Sequence, residues 1–465
     1  MTPLHAAALH VVGLTVLLFG ALLLPGAGGA LAAACVWAAC VTIVARSEPS
    51  GIVSLPGMYL LLLGLFHLGL VVPVALGATS EAPSWLSSPQ LGLALGLFST
   101  ATIAFTLGTF LHAPPRASEE RAREPLAPQR QLFWMGCLVA LVGATLLWIG
   151  IAQLGILSAR YIAYYERALS EDVRFFGFGR MLFPIGLIIA AVGATRRQMF
   201  ALAAGIAIVL GPLFVQGFRG PFIVHSMALL AVWANKDRRM ARRLAGVTFA
   251  AAIVLVPAVR MARNEDANVL RAAGEVDPLA FILEAGGSLR PLVVTAEAVG
   301  SGAEPLWMGR SYASAARRVV PNLSARRLTT SALAPNAWAT RQADPWVFER
   351  GGGIGFSGVA EPYLNFGVPG VVLVFVGLGI LLHACDRWLR AGRAALFRAA
   401  IGAACFGFVL WTVRNDAMEV GRAIVLAAVT ALGAWALARV PRAQAPADPE
   451  LALQARHRAS HEALE

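Results

Sequence analysis

The sequence predicts an all-α, polytopic integral membrane protein with about twelve transmembrane helices and one large periplasmic loop that contains short helices. Three observations predict it. Hydrophobic residues make up 58% of the 465-residue chain and charged residues only 14%, against roughly 25% charged in soluble domains. The apolar residues come in repeated runs long enough for a helix to cross a bilayer, which takes about 20 residues. Arginines gather in every second connector, the pattern that membrane topology imposes. A spanning β-barrel would alternate inward and outward residues and give no such runs.

The runs lie at 4–25, 28–45, 52–77, 91–112, 131–153, 177–195, 199–216, 220–235, 244–260, 366–385, 395–412 and 422–440. The first lacks a basic lead-in and is read as a retained span; ALAAAC, Ala30 to Cys35, matches a lipoprotein cleavage box only superficially. Basic residues follow the even-numbered runs: Arg46; Arg116, Arg121, Arg123 and Arg130; Arg196 and Arg197; Lys236 to Arg243; Arg387 to Arg398. Connector 78–90, after the third run, has no Lys or Arg. The positive-inside rule then places both termini in the cytoplasm and the long segment after the ninth run outside. The expected division is 1–260 with helices one to nine, 261–365 as the loop, 366–440 with the last three helices, and 441–465 as a polar cytoplasmic tail. No internal repeat relates the two halves.

The formal charge of +12 is almost wholly arginine's, since Lys236 is the sole lysine and Asp237 follows it. A P-loop needs Gly-Lys-Ser/Thr and a Schiff base needs a lysine, so neither fits. The arginines flank spans instead of alternating with aromatics, which argues against a nucleic-acid partner. All five cysteines lie in or beside apolar runs with no CxxC spacing, and they read as packing residues. The sequence has no HExxH, GxSxG or DxD pattern and no His/Cys cluster at metal spacing, so neither metal nor cofactor is expected. His67 and His225 sit inside apolar runs and read as hydrogen-bonded core histidines. No Asp or Glu lies well inside a predicted span, where proton-coupled transporters keep one.

The outer side carries arginines that the topology rule does not ask for. Connector 154–176 holds Arg160, Arg167 and Arg174 beside Tyr161, Tyr164, Tyr165 and Glu166. The short turn GFRGP holds Arg219, Arg260 and Arg263 stand at the end of the ninth run, and the last outer connector runs from Arg414 to Arg422. Snorkelling to headgroups explains any one of them as well as function does. Several on one face point to an anion, because an uncompensated arginine in a span costs about 2.5–3.5 kcal/mol. Arginine keeps its charge and grips phosphate oxygens with paired N–H donors. The set therefore suits a lipid-linked phosphate or pyrophosphate whose tail lies in the bilayer. For a pyrophosphate leaving group it would stabilise the developing charge without a metal. Glu361 is the best-placed base for an acceptor hydroxyl, its competing reading being a helix cap or an arginine partner. Tyr363 and Asn365 suit sugar hydroxyls or interfacial anchoring.

The loop is no simple polybasic patch, since its eleven arginines between Arg260 and Arg350 are nearly matched by acidic residues. Its local clusters, Arg317-Arg318 and Arg326-Arg327, flank Pro321. Pro278 to Val299 is apolar at helical spacing and predicts surface helices lying on the membrane. Gly351 to Gly353, Gly355 and Gly358 form a lead-in where backbone can approach a ligand.

Three stretches resemble the Wzy-type O-antigen or oligosaccharide repeat-unit polymerases: GFRGPFIVHSMALLAVW from Gly217, MGRSYASAARRVVPN from Met308 to Asn322, and GFSGVAEPYLNFGVPGVVL from Gly355. Twelve spans with one late large loop, and the spacing of Arg263 from Gly274, are also similar to that family. The resemblance implies a GT-C-like inverting glycosyltransferase of the bacterial inner membrane, its site facing the periplasm. The donor would be a growing glycan on undecaprenyl pyrophosphate. The acceptor would be the terminal sugar of a newly flipped lipid-linked repeat unit of O-antigen, capsule or exopolysaccharide. On that resemblance Glu361, Arg219 and Arg263 are the catalytic candidates, and Arg219, Arg260, Arg263 and Arg414 grip the pyrophosphate. Tyr363, Asn365, Ser357 and Tyr164 would face sugar, with a chain-length regulator as a further partner. Three other readings compete, one of them a purely structural member of an envelope complex. An O-antigen ligase would carry a histidine in the large loop, and none lies between His225 and His383. A transporter or flippase of lipid-linked glycans would be expected to show related halves.

Overall fold

The computed structural model describes residues 26–79, 82–111, 127–156, 174–216, 218–265, 277–319, 334–391 and 396–439. The expected span 4–25, the tail and Tyr164 lie outside them. Among the described residues there are helices and turns and no strand. Before the loop come α1 (Ala27–Ser47), α2 (Leu55–Leu68), α3 (Val71–Ala75), α4 (Leu91–Leu111), α5 (Ala127–Leu154), α6 (Arg174–Gly193), α7 (Arg196–Val215), α8 (Arg219–Ala234) and α9 (Arg238–Glu265). The loop region holds α10 (Pro278–Ala285), α11 (Leu289–Gly300), α12 (Arg310–Val319), α13 (Pro335–Ala343) and α14 (Pro345–Glu349). After it run α15 (Ala360–Arg390), α16 (Leu396–Trp411) and α17 (Ala417–Arg439).

Among the described residues nine helical segments are long and apolar enough to cross a membrane, and α2, α8 and α16 are shorter apolar helices. The chain is a polytopic membrane protein. Every predicted run from the second onward contains helix, but the run at 52–77 is broken after Leu68, and the tenth begins at Ala360 instead of 366. The seventh long segment, Leu279–Gly300, falls inside the region read as loop.

That segment, expected as helices lying on the membrane surface, packs one side against the other helices. Asp277 caps α10 through its side chain, and a tight turn at Gly286–Ser288 separates α10 from α11. A Cβ on Gly286 would come within 2.0 Å of the Leu70 nitrogen, and one on Gly69 within 2.5 Å of the Ile282 carbonyl oxygen. The backbones thus meet directly where α2 gives way to α3. On α11, Leu289, Leu292 and Ala296 have no exposed surface. Protein covers that stripe of α11, while Leu279, Ala280, Ile282 and Leu283 of α10 stay partly open.

The tightest helix pair is α5 with α6, and glycine spacing explains it. Gly136, Gly143 and Gly150 recur every seven residues, as do Gly179, Gly186 and Gly193. A Cβ at Gly143 would fall 2.2 Å from the Phe183 nitrogen, and one at Gly186 2.2 Å from the Ala140 nitrogen. Small residues let backbones approach where lipid offers no hydrophobic drive to pack helices.

The end of α15 remote from the loop holds a second constraint. Asp386, which the sequence places just past a span, is fully buried because α15 continues to Arg390. It pairs with Arg390 and accepts a hydrogen bond from the Leu55 backbone N–H, while Glu48 accepts from Arg390 at 3.0 Å and lies 2.6 Å from His383 Nδ1. Buried charges survive when paired in this way. Nearby, the Lys236 ammonium donates to the carbonyls of Val192, in the last turn of α6, and Ala194, just past it, at 3.0 and 2.8 Å. Burial pulls its pKa down to about 8.

Replacing Gly143 with leucine should therefore overpack the α5–α6 seam at a cost of about 1–3 kcal/mol. Thermal unfolding in detergent should show a lower Tm, whereas Gly177→Ala, with nothing within 4 Å of its Cβ, should not.

Candidate active site

A kink in α15 builds the site. At Gly367 the backbone leaves helical geometry, with φ 67° and ψ −155°, and Pro369 follows. Proline has no N–H to give the carbonyl four residues before it, which is that of Asn365. The displaced backbone at Gly367 likewise parts Val368 from the carbonyl of Leu364. Both freed carbonyls are taken by the loop: the Trp307 N–H donates to Leu364 and the Met308 N–H to Asn365, each at 2.9 Å. Met308, at φ 47°, is the one non-glycine residue with positive φ among the described residues, and Gly309 follows at φ 85°. A strained residue of this kind persists only where its surroundings hold it.

The turn delivers α12 onto the first turns of α15. The Ser311 hydroxyl donates to Glu361 Oε1 at 2.7 Å and accepts from Asn365 Nδ2 at 2.8 Å. Asn365 Nδ2 also donates to the Glu361 carbonyl at 2.8 Å. Glu361 Oε2 accepts the Ala417 N–H at 2.7 Å, so the carboxylate caps the start of α17 from outside. Asp416 caps the same helix, accepting from the Glu419 N–H and, through its other oxygen, from the Asn336 N–H, both at 3.0 Å. Burial raises the Asp416 carboxyl above its ordinary range, while its N–H donors and the Arg318 charge pull the other way. Tyr312 stacks on Phe366 with 6.1 Å between ring centroids. Burial first, then the Glu361 charge, holds its phenol well above the usual range, so it stays a proton donor.

The glycine-rich lead-in is docked too. The Phe356 N–H donates to the Arg414 carbonyl at 2.8 Å, and Gly355, at φ 77°, lies against the Arg414 side chain. The Ser357 hydroxyl accepts the N–H groups of Val359 and Ala360 and lies 2.8 Å from His67 Nε2. His67 Nδ1 faces the Leu63 carbonyl at 2.9 Å and must donate to it, so Nε2 accepts the Ser357 proton. His67 is thus a satisfied core histidine, as expected, but its partner belongs to the site. Glu304 ties the remaining wall, accepting from Trp307 Nε1 at 2.8 Å and Trp338 Nε1 at 3.2 Å.

The family comparison now has a site to stand on. A family model described as O-antigen polysaccharide polymerase Wzy matches residues 8–441. The chain belongs to that family. No curated protein and no solved structure matches it. Membership in the Wzy family makes it a polymerase of the O-antigen class and a glycosyltransferase-like enzyme.

Of the residues singled out in this Wzy chain, Glu361, Asn365 and Ser357 are buried and hydrogen-bonded at the kink, with Tyr363 in the same turns of α15 at 7% exposure. Asn365 and Ser357 spend their polar groups on the frame, and the capping alternative weighed for Glu361 is realised at Ala417. Arg414 is exposed, its guanidinium 5.7 Å from the Phe66 ring centroid. Arg219 opens α8, and Arg260 and Arg263 lie in the last turns of α9; their side chains are outside the described residues. Ser311 and Tyr312 went unassigned in the sequence because their partners lie 50 or more residues on.

Two substitutions test the kink. Gly367→Ala should cost about 1–3 kcal/mol from the positive φ alone, read as a lower Tm. Pro369→Ala returns a donor to the Asn365 carbonyl, so hydrogen exchange at the amides of Trp307 and Met308 should accelerate at least tenfold.

Proposed function

We propose that the chain polymerises undecaprenyl-pyrophosphate-linked oligosaccharide repeat units at the periplasmic face of the bacterial inner membrane, by inverting glycosyl transfer. The observation that carries this reading is the junction at Glu361, where the second and third motif stretches meet the last connector beside Arg414. The reading gathers guanidinium groups from separate elements around that buried carboxylate.

The acceptor sugar hydroxyl attacks the anomeric carbon, whose bond to the pyrophosphate oxygen breaks. The leaving pyrophosphate keeps the bonding pair and is steadied by Arg219, Arg260, Arg263 and Arg414. The acceptor proton passes to Glu361. Both oxygens of Glu361 already accept hydrogen bonds, and the Ser311 hydroxyl is the donor that can rotate away to admit the sugar hydroxyl. Tyr363 and Tyr164 offer hydroxyls to the sugar rings, while Asn365 and Ser357 hold the frame. The arginines supply the positive charge, so the reaction runs without a metal and tolerates chelation. A chain-length regulator docks on this assembly in the membrane.

The reading is tested by Glu361→Gln in a strain lacking the native protein. A general base contributes about 10²–10⁴-fold, so long chains should vanish and single lipid-linked repeats accumulate on the outer leaflet, with membrane levels unchanged. Normal chain length in Glu361→Gln would reduce Glu361 to a helix cap. Normal chain length in both Arg219→Ala and Arg263→Ala would end the pyrophosphate grip.

A further inference from the structure

Arg180 carries the charge that the motifs leave unexplained. It stands six residues beyond Arg174 in α6, about 9 Å along a helix that is apolar enough to span. Its Nε is buried and has no hydrogen-bond partner. Among the described residues it forms no ion pair; Glu419 senses its charge without reaching it. What it does touch are ring faces, with Trp411 at 5.5 Å and Phe176 at 6.0 Å from its central carbon. Aromatic faces take the flat side of a guanidinium and recover about 0.5–2 kcal/mol. They leave its in-plane N–H donors unused. Arg180 as a whole is half-buried, but its buried Nε inside a span needs an acceptor.

A second feature meets the same indole. α8 starts at Arg219 with Phe218 as its cap residue; among the described residues no side chain caps that helix, and since Pro221 brings no N–H the donors of its first turn are those of Arg219 and Gly220. The first N–H groups of a helix have no partner within it and favour an anion. Gly220 packs flat on Trp411: a Cβ there would come 3.3 Å from the indole nitrogen. The start of α8 and Arg180 therefore border one ring, at the end of α16 that leads into Arg414. Arg422 leans on Phe178, 5.0 Å from its centroid, on the same stretch of α6.

We infer that Arg180 and the open first turn of α8 hold the lipid-proximal phosphate of a polyprenyl diphosphate, making Arg180 the residue that distinguishes a diphosphate from a monophosphate. This rests on the reading that the chain transfers sugar from a lipid pyrophosphate. Arg180 sits further along its helix than the arginines at the loop and helix ends, so it meets the phosphate esterified to the polyprenyl carbon. The others meet the phosphate bonded to sugar. The planar fork of arginine can take two oxygens of one phosphate, which an ammonium cannot.

The test uses the full chain in detergent, with farnesyl diphosphate, farnesyl monophosphate and farnesol as probes and Kd read by thermal shift. Wild type should prefer the diphosphate over the monophosphate by tenfold or more. Arg180→Gln and Arg180→Lys should both lose that preference while still binding the monophosphate, with an unliganded Tm close to wild type. Equal preference in wild type and Arg180→Lys overturns the inference alone, leaving the lipid-pyrophosphate reading intact. Wild type that binds farnesol as tightly as the diphosphate overturns both. If Arg180 merely pairs with His225, whose Nε2 is also buried and unpartnered, both Arg180 variants and His225→Phe lower the Tm alike and leave probe selectivity unchanged, which also sinks it.

Discussion

The site depends on two backbone carbonyls that a helix cannot use. Once Pro369 and the turned backbone at Gly367 release the carbonyls of Leu364 and Asn365, they must find donors or remain costly in a low-dielectric environment. Trp307 and Met308 supply those donors. Everything downstream inherits the geometry: α12 enters at a fixed angle, Ser311 reaches Glu361, and Glu361 reaches the start of α17. A defect in one helix thereby becomes the socket for the loop.

Charge is managed differently at the two ends of α15. Away from the loop, Glu48, Asp386, Arg390 and His383 close on one another and leave little unspent. At the loop end the carboxylates are satisfied mainly by backbone N–H groups and a serine, while Arg180, Arg350, Arg414 and Arg422 rest on aromatic rings. Rings hold a guanidinium in place without consuming its hydrogen bonds. Asp416 and Glu419 still feel the charges of Arg318 and Arg180, yet Arg180 keeps a buried Nε with no hydrogen-bond partner among the described residues.

Helix content and the membrane class were legible in the sequence because bilayer thickness demands long apolar runs, and composition records them directly. The extent of the loop was less legible. Leu279–Gly300 reads equally well as a surface helix or a buried one, since amphipathic spacing marks a covered face without naming what covers it. Glu361 could be located but its partners could not, because Ser311 and Ala417 lie 50 and 56 residues away. His67 and Ser357 are separated by 290 residues, beyond any local pattern. Arg180 was hidden by its neighbours: one cation inside an apolar run is averaged away.

The socket at the kink also constrains how such proteins can be recombined. The turn at 306–309 with the start of α12 and the helix start at 360–370 form one interlocked part, although some fifty residues of chain separate them. A hybrid assembled by swapping the intervening loop between relatives keeps its joint only when both halves come from the same parent. A cassette bounded by these two segments keeps the joint whole, and cut points placed between them will separate the lock from its key.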